Sequence, residues 1–314
     1  MRLLLSGIDK RRFDIWRYRN FYPDNHLAES QLISDQKFVF TSLEKRGENL
    51  WIKHEDEHPL GSHKGRSLAY QLSVLQHLGK NKLVLSSSGN AAIAFLSLTT
   101  SKHSLALISP HIDKTKLAYL QHLPTKGHLV MSTVAPQLVR ALVNKKGFTD
   151  LRPSQSDAAI AGLSSLGFEL FEQLPDLSAE YSIVSVTTSG GNILGMYQAF
   201  AHLQKIGALK SLPRVYPVLL QDYKSGNLTK ARREALEQIV ATTHGKILNF
   251  DPVYTGKELT SFEGNTALSA YEQHQNELGK TIVIFTGRIW PLTGEIASMP
   301  MYSSLVQLEQ NFTL

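Results

Sequence analysis

Lys64 stands in the stretch PLGSHKGR, just beyond Pro59 and Gly61, where a run with Leu68, Leu72, Leu75 and Leu78 at helical spacing begins. A lysine in the first turn of a helix feels the positive end of the backbone dipole, which disfavours its own charged form. A neutral amine attacks an aldehyde, so the placement suits a Schiff-base lysine; the alternative is a solvated residue beside a glycine turn. Two further stretches carry complementary chemistry. Residues 82–88 read as a short buried strand that runs into Ser86, Ser87 and Ser88, with Gly89 and Asn90 as the turn and an apolar, small-residue helix over 91–98. Residues 183–192 repeat the arrangement: IVSV runs into Thr187, Thr188, Ser189, Gly190, Gly191 and Asn192, and a helix begins. Such a helix N-terminus points backbone N–H groups outward, and its glycines leave room for an anion such as a phosphate.

Residues 54–58, HEDEH, fit the zinc-protease pattern H-E-x-x-H. That chemistry needs both histidines one turn apart on a helix. Here a strand-like LWIK precedes them and Pro59 follows, which biases His58 towards an extended backbone. No metal site is expected.

The elements that must position these residues alternate along the chain. Apolar or alternating runs predict strands at 37–43, 50–54, 104–110, 127–132, 215–220 and 281–285, with a turn at 45–49. Helical spacing predicts helices at 114–123, 136–145, 228–241 and 264–277, and a helix strongest over 163–174. Gly79 closes the Lys64 helix as its C′ residue, and Arg152-Pro153 opens a loop. Strands alternating with helices argue for an α/β fold with doubly wound, parallel sheets. The aromatic segment 13–24, FDIWRYRNFYPD, reads as a strand or arm packed on the body.

Composition sets outer limits. At 314 residues and 42% hydrophobic content the chain can bury a substantial core and fill two domains. A net charge of +6 and a pI near 9.3 imply a general attraction to anions. The basic residues are dispersed, so no nucleic-acid footprint is expected. The absence of cysteine excludes disulfides, thiolate nucleophiles and Cys-ligated zinc. MRLLLSG is too short an apolar run for a signal peptide, and no stretch approaches the roughly 20 apolar residues of a membrane helix. A cytoplasmic protein with no membrane partner is the expectation.

PLGSHKGR followed by SSSGNAA resembles the lysine and asparagine loops of fold-type II pyridoxal-phosphate enzymes, the tryptophan synthase β-like superfamily. Their recurrent pattern is P-x-G-S-x-K-x-R and then S-S/T-S-G-N. TTSGGNILG is similar to the cofactor-phosphate loop of threonine synthases and keeps the spaced glycine at Gly195, and WRYR at 16–19 resembles the opening segment of the same enzymes. The strand end at Thr286-Gly287 matches the place where relatives put a Ser or Thr against the pyridine nitrogen. Threonine synthase is the best match.

The resemblance implies two doubly wound domains with mostly parallel sheets and the cofactor, pyridoxal 5′-phosphate, between them. Residues 1–57 and 165–314 would form the larger, phosphate-binding domain, and 58–164 the smaller one with the lysine and asparagine loops. Lys64 would carry the Schiff base and shuttle a proton at the substrate α-carbon. Asn90 would hydrogen-bond the 3′ oxygen. Ser86, Ser87, Ser88, Gly89 and Asn90 would offer donors to the substrate carboxylate. Thr188, Ser189, Gly190, Gly191 and Asn192 would bind phosphate, and Thr286 would face the ring nitrogen. The implied function is a lyase or synthase acting on a small amino acid by β or γ elimination or replacement, with O-phosphohomoserine to threonine as the leading reaction. A serine/threonine dehydratase or cysteine synthase-like enzyme is the alternative. A phosphorylated substrate would need a second cationic pocket, for which Arg66, Lys53 and Arg288 are the nearby candidates in sequence. A homodimer is also expected as a possible assembly. Three departures support a non-catalytic binding module instead: Gly65 where the family has Asp, a shortened region over 222–260, and Arg288-Ile289-Trp290-Pro291 in place of H-G-x-K-D.

Overall fold

The computed structural model describes residues 7–34, 40–220, 228–250, 260–292, 294–312 and 314. The aromatic segment is a 3₁₀ helix at Ile15–Phe21, capped by the Asp14 carboxylate on the Trp16 N–H. Trp16 stacks on Tyr70 and Tyr18 on Phe168, which ties this arm to two helices of the body. Residues 37–39 of the expected first strand lie outside the described residues. The described strand, β1 (Leu43–Lys45), pairs antiparallel with β2 (Leu50–His54).

Helix α1 (Lys64–His77) begins at the lysine itself and buries Leu68 and Leu72. Gly79 closes it at φ 65°, with the Gly79 N–H on the Gln76 carbonyl and the Lys80 N–H on the Leu75 carbonyl. A run of strand–helix units follows: β3 (Leu83–Ser87), α2 (Asn90–Leu98), β4 (Ser104–Ile108), α3 (Lys114–His122), β5 (His128–Met131), α4 (Ala135–Lys146) and the two-residue β6 (Thr149–Asp150). These strands form a parallel sheet in the order β5-β4-β3-β6. The central strands β3 and β4 are mostly apolar and buried along most or all of their length, as strands covered on both faces of a parallel sheet are.

Helix α5 (Asp157–Gln173) then leads to the second sheet through β7 (Tyr181–Val186), α6 (Gly191–Lys205), β8 (Arg214–Leu220), α7 (Lys230–Thr242), β9 (Leu248–Phe250), α8 (Phe262–Leu278) and β10 (Lys280–Phe285). Its order is β1-β2-β10-β7-β8-β9, parallel except for the β1–β2 pair. The fold is therefore α/β with two mostly parallel sheets, as the alternation of patterns implies. β6 and β9 escape sequence reading because they are only two and three residues long.

Every strand of the four-stranded sheet comes from residues 58–164, and every strand of the six-stranded sheet from the remainder. A division at 57/58 and 164/165 is proposed on that sheet membership, with the second boundary inside α5. The last helix, α9 (Leu305–Asn311), returns to the smaller sheet, where Tyr302 and Leu308 join a core with Leu105, Leu107 and Val139. Among the described residues, no helix is long and apolar enough to cross a membrane.

Candidate active site

In parallel sheets the loops at the carboxyl ends of the strands are left open to ligands, and helix N-termini point into the space between them. Here those loops enclose a cavity of about 310 Å³ lined by Lys64, Ser86, Ser87, Ser88, Asn90, Thr188, Ser189, Asn192 and Thr286. Residues far apart in sequence thus meet in one place. Gly89, Gly190 and Gly191 do not line it with side-chain surface; they shape the turns. Gly89 takes φ 136° at the N-cap of α2, and Gly190 takes φ 78° at the N-cap of α6.

Lys64 is the first residue of α1, and its backbone is held by the Ser62 hydroxyl. Withdrawal from water pulls its pKa down to about 8, against the opposing charge of Glu263. Its neighbour His63 donates its Nδ1–H to the Thr286 carbonyl, 2.8 Å away, and its backbone N–H donates to the same oxygen. Burial, then the charge of Lys64, push His63 down to about 3, so its ring is neutral and Nδ1–H is the donor. The lysine loop is thereby fastened to the end of β10.

The loop before α6 is braced from within. Thr187 donates to Asn192 Oδ1 at 2.6 Å and accepts from the Gly190 N–H at 3.0 Å. Asn192 Nδ2 donates to the Ser185 hydroxyl and the Val186 carbonyl. The Asn192 side chain is therefore a brace, while the N–H groups of Ser189, Gly191 and Asn192 find no acceptor among the described residues. Uncommitted donors at a helix N-terminus are what a phosphate requires. In the loop before α2, the Ser87 hydroxyl accepts from the Gly89 and Ala92 N–H groups and so acts as a cap.

Sequence reading missed Arg152, Glu263 and His63, all of which line the cavity. Arg152 follows β6 and is gripped by both oxygens of Asp150, at 2.6 to 3.0 Å. Glu263 lies in the first turn of α8, which starts at Phe262 with Ser261 as its cap, two residues earlier than the pattern predicts. The Ser-x-Glu start of that helix was the available signal.

The expected cationic pocket is corrected. Arg66 and Lys53 are fully buried away from the cavity, in a network with Glu55 and Glu169. Arg66 makes two hydrogen bonds to Glu55 and one to Glu169, and Lys53 bonds Glu169 and the Thr41 carbonyl. Arg288 is committed to the carbonyls of Asp56 and His58. The H-E-x-x-H pattern lacks its helix: His54 ends β2, and Glu55–Glu57 is a single 3₁₀ turn.

The sequence profile of a family described as pyridoxal-phosphate dependent enzyme matches residues 37–249. The chain belongs to that family. Its cofactor is pyridoxal 5′-phosphate, and the donor set fits it: a half-buried lysine amine for the aldehyde, open N–H groups for the phosphate, and the uncharged Thr286 at the strand end. The chain is 28% identical over 171 residues to a threonine synthase of Methanosarcina acetivorans, covering 53% of this chain and 42% of that protein. It is 26% identical over 218 residues to a threonine synthase of Methanocaldococcus jannaschii, covering 66% of this chain and 53% of that protein. The chain thus spans about half the length of the curated relatives it matches. Among solved structures, an O-ureido-L-serine synthase superposes with a TM-score of 0.62 at 12% identity, covering 78% of this chain and 87% of that one. That likeness shows a shared fold.

Proposed function

We propose that this family member is a lyase or synthase that acts on a small amino acid by β or γ elimination or replacement, threonine synthase-like in its chemistry. One observation carries the reading: the Lys64 amine, made easier to deprotonate by burial, shares a cavity with the open helix N-terminus of α6 and with Thr286. When bound, pyridoxal 5′-phosphate supplies an electron sink for the pair left at a substrate α-carbon. Lys64 holds and moves the proton at that carbon. The N–H groups at the start of α6, with Thr188 and Ser189, bind the phosphate. Thr286 would be an uncharged partner for the ring nitrogen, which would leave that nitrogen unprotonated and the sink less extreme. Asn90 would hold the ring oxygen, and the serines of residues 86–88 would orient the substrate carboxylate.

O-phosphohomoserine is the leading substrate. Arg152 is the guanidinium in the cavity suited to its phosphate, and both curated relatives are threonine synthases. A dehydratase reading is favoured by a different observation: Lys53, Arg66 and Arg288 are all committed elsewhere, and Arg152 is already neutralised by Asp150. The test is a panel of amino acids given to the cofactor-loaded protein. Phosphate release with equimolar threonine supports the first reading. Keto-acid formation from serine or threonine, with O-phosphohomoserine ignored, supports the second. Cofactor binding without a spectral response to any amino acid favours the binding module.

A further inference from the structure

Residues 288–291, where the sequence departs from the family pattern, pack against the turn that leads into the lysine loop. Trp290 is buried at 4% exposure. Its ring lies against Gly61, where an added Cβ would come within 2.0 Å of Cζ2, and packs on Tyr119 with centroids 4.2 Å apart. The Arg288 N–H donates to the Gly61 carbonyl at 2.9 Å, so the turn and the lysine loop share a backbone bond. With its plane set by these contacts, the indole Nε1–H points at Asn90 Oδ1, a long contact of 3.4 Å. An indole nitrogen can only donate, so the Asn90 atom facing it must be the carbonyl oxygen. The amide nitrogen then lies beside Gly287, where a Cβ would stand 2.7 Å from Nδ2. Nothing among the described residues accepts from Nδ2, and Asn90 lines the cavity.

We propose that Trp290 is a positioning residue: its indole N–H fixes the Asn90 carboxamide so that the amide nitrogen faces the cavity and donates to an oxyanion there, the ring oxygen of the cofactor. The inference rests on the cofactor site proposed above and adds a residue that acts on the ligand only through Asn90. It also gives the divergent turn a task. A flipped amide would set a carbonyl oxygen against an oxyanion.

The test is a double-mutant cycle read by cofactor affinity of the apoprotein, titrated by absorbance. Trp290→Phe keeps the ring against Gly61 and Tyr119 and removes the N–H. It should weaken binding about three- to tenfold, the range of one neutral hydrogen bond, and shift the absorbance maximum of the bound cofactor. In an Asn90→Ala background the same substitution should change affinity less than twofold. Wild-type affinity in Trp290→Phe, or an undiminished loss in the Asn90→Ala background, overturns the proposal. Should Trp290→Phe fail to fold, the wild-type chain still decides. Asn90→Ala must shift one of the three tryptophan indole N–H resonances, and three unmoved resonances overturn the contact. A wild-type apoprotein that takes up no cofactor would sink the site reading, while the resonance measurement judges the Trp290–Asn90 contact by itself.

Discussion

A Cβ placed on Gly65 would stand 2.2 Å from His58 Cε1 and 2.8 Å from its Nδ1. The two residues are a matched pair: the buried His58 imidazole occupies the space that a side chain at position 65 would need. His58 in turn shapes the approach to the lysine loop, since its Nδ1 accepts from the Leu60 N–H at 3.1 Å and its carbonyl accepts from Gly61 at 2.7 Å. Packing against His58 thus accounts for a glycine at this position.

Restoring the family residue should therefore damage this chain. Gly65→Asp is expected to cost about 3 kcal/mol or more, from overpacking and a desolvated carboxylate. His58→Ser opens the space, so the double variant should be more stable than the sum of the two single losses allows. Denaturation midpoints of the four proteins check this; strict additivity would mean that the two residues do not compete for one site.

Lys64 provides a second prediction. Borohydride reduction of the loaded protein should leave the cofactor on the peptide containing Lys64, and Lys64→Ala should abolish that attachment. Adduct on another lysine would end the assignment. The rate of cofactor capture should rise through pH 8 as the amine loses its proton. The stability linkage has a definite sign. The folded pKa near 8 lies below the ordinary 10.5, so between those values the unfolded chain holds a proton that the folded chain lacks. Stability from this group therefore rises with pH across that window, and Lys64→Met should flatten the rise in Tm.

A third prediction concerns the buried ion network. Burial opposes ionisation of Glu55, but the charge and hydrogen bonds of Arg66, aided by Lys53, hold its carboxyl well below the usual range. That stabilisation is complete above the ordinary value of 4.5 and is lost as pH falls towards the depressed folded value. Arg66→Met leaves Glu55 and Glu169 with one buried cation between them and should cost about 3–5 kcal/mol at neutral pH. It should also blunt the acid loss of stability. A variant within 1 kcal/mol of wild type, roughly the scale of a surface pair, would show that the network is dispensable.

Arg66 also shows what sequence could and could not reveal. The helix carrying Lys64, the two serine- and glycine-rich turns and the hydroxyl at the end of β10 were legible because local pattern places them at strand ends. Direction was not. Arg66 lies two residues beyond Lys64 on α1, about 200° around the helix, so it faces the body while the lysine faces the cavity. Lys53 and His54 likewise alternate across β2, and only the sheet's packing decides which side is interior. Arg152 and Glu263 reach the cavity from opposite sheets, a meeting set by topology and invisible to spacing. The aromatic segment 13–24 packed as expected of an arm, but as a 3₁₀ helix, because Asp14 caps it.

The substrate decides the last prediction. Arg152 is held by Asp150 through Nε and Nη2, which leaves Nη1 without a carboxylate partner among the described residues, on a side chain that lines the cavity. A guanidinium anchored on one edge is a preorganised receptor for an anion on the other. If the substrate carries a phosphate, Arg152→Gln should raise KM for O-phosphohomoserine about 10- to 100-fold, the loss of a charge-assisted contact. Cofactor affinity and the Lys64 spectrum should stay near wild type, since the α6 N-terminus is the proposed seat of the cofactor phosphate. Kinetics with serine and threonine provide the control. Equal effects on all three substrates would place Arg152 in the framework of the loop, and no effect on O-phosphohomoserine would remove the phosphorylated substrate from consideration.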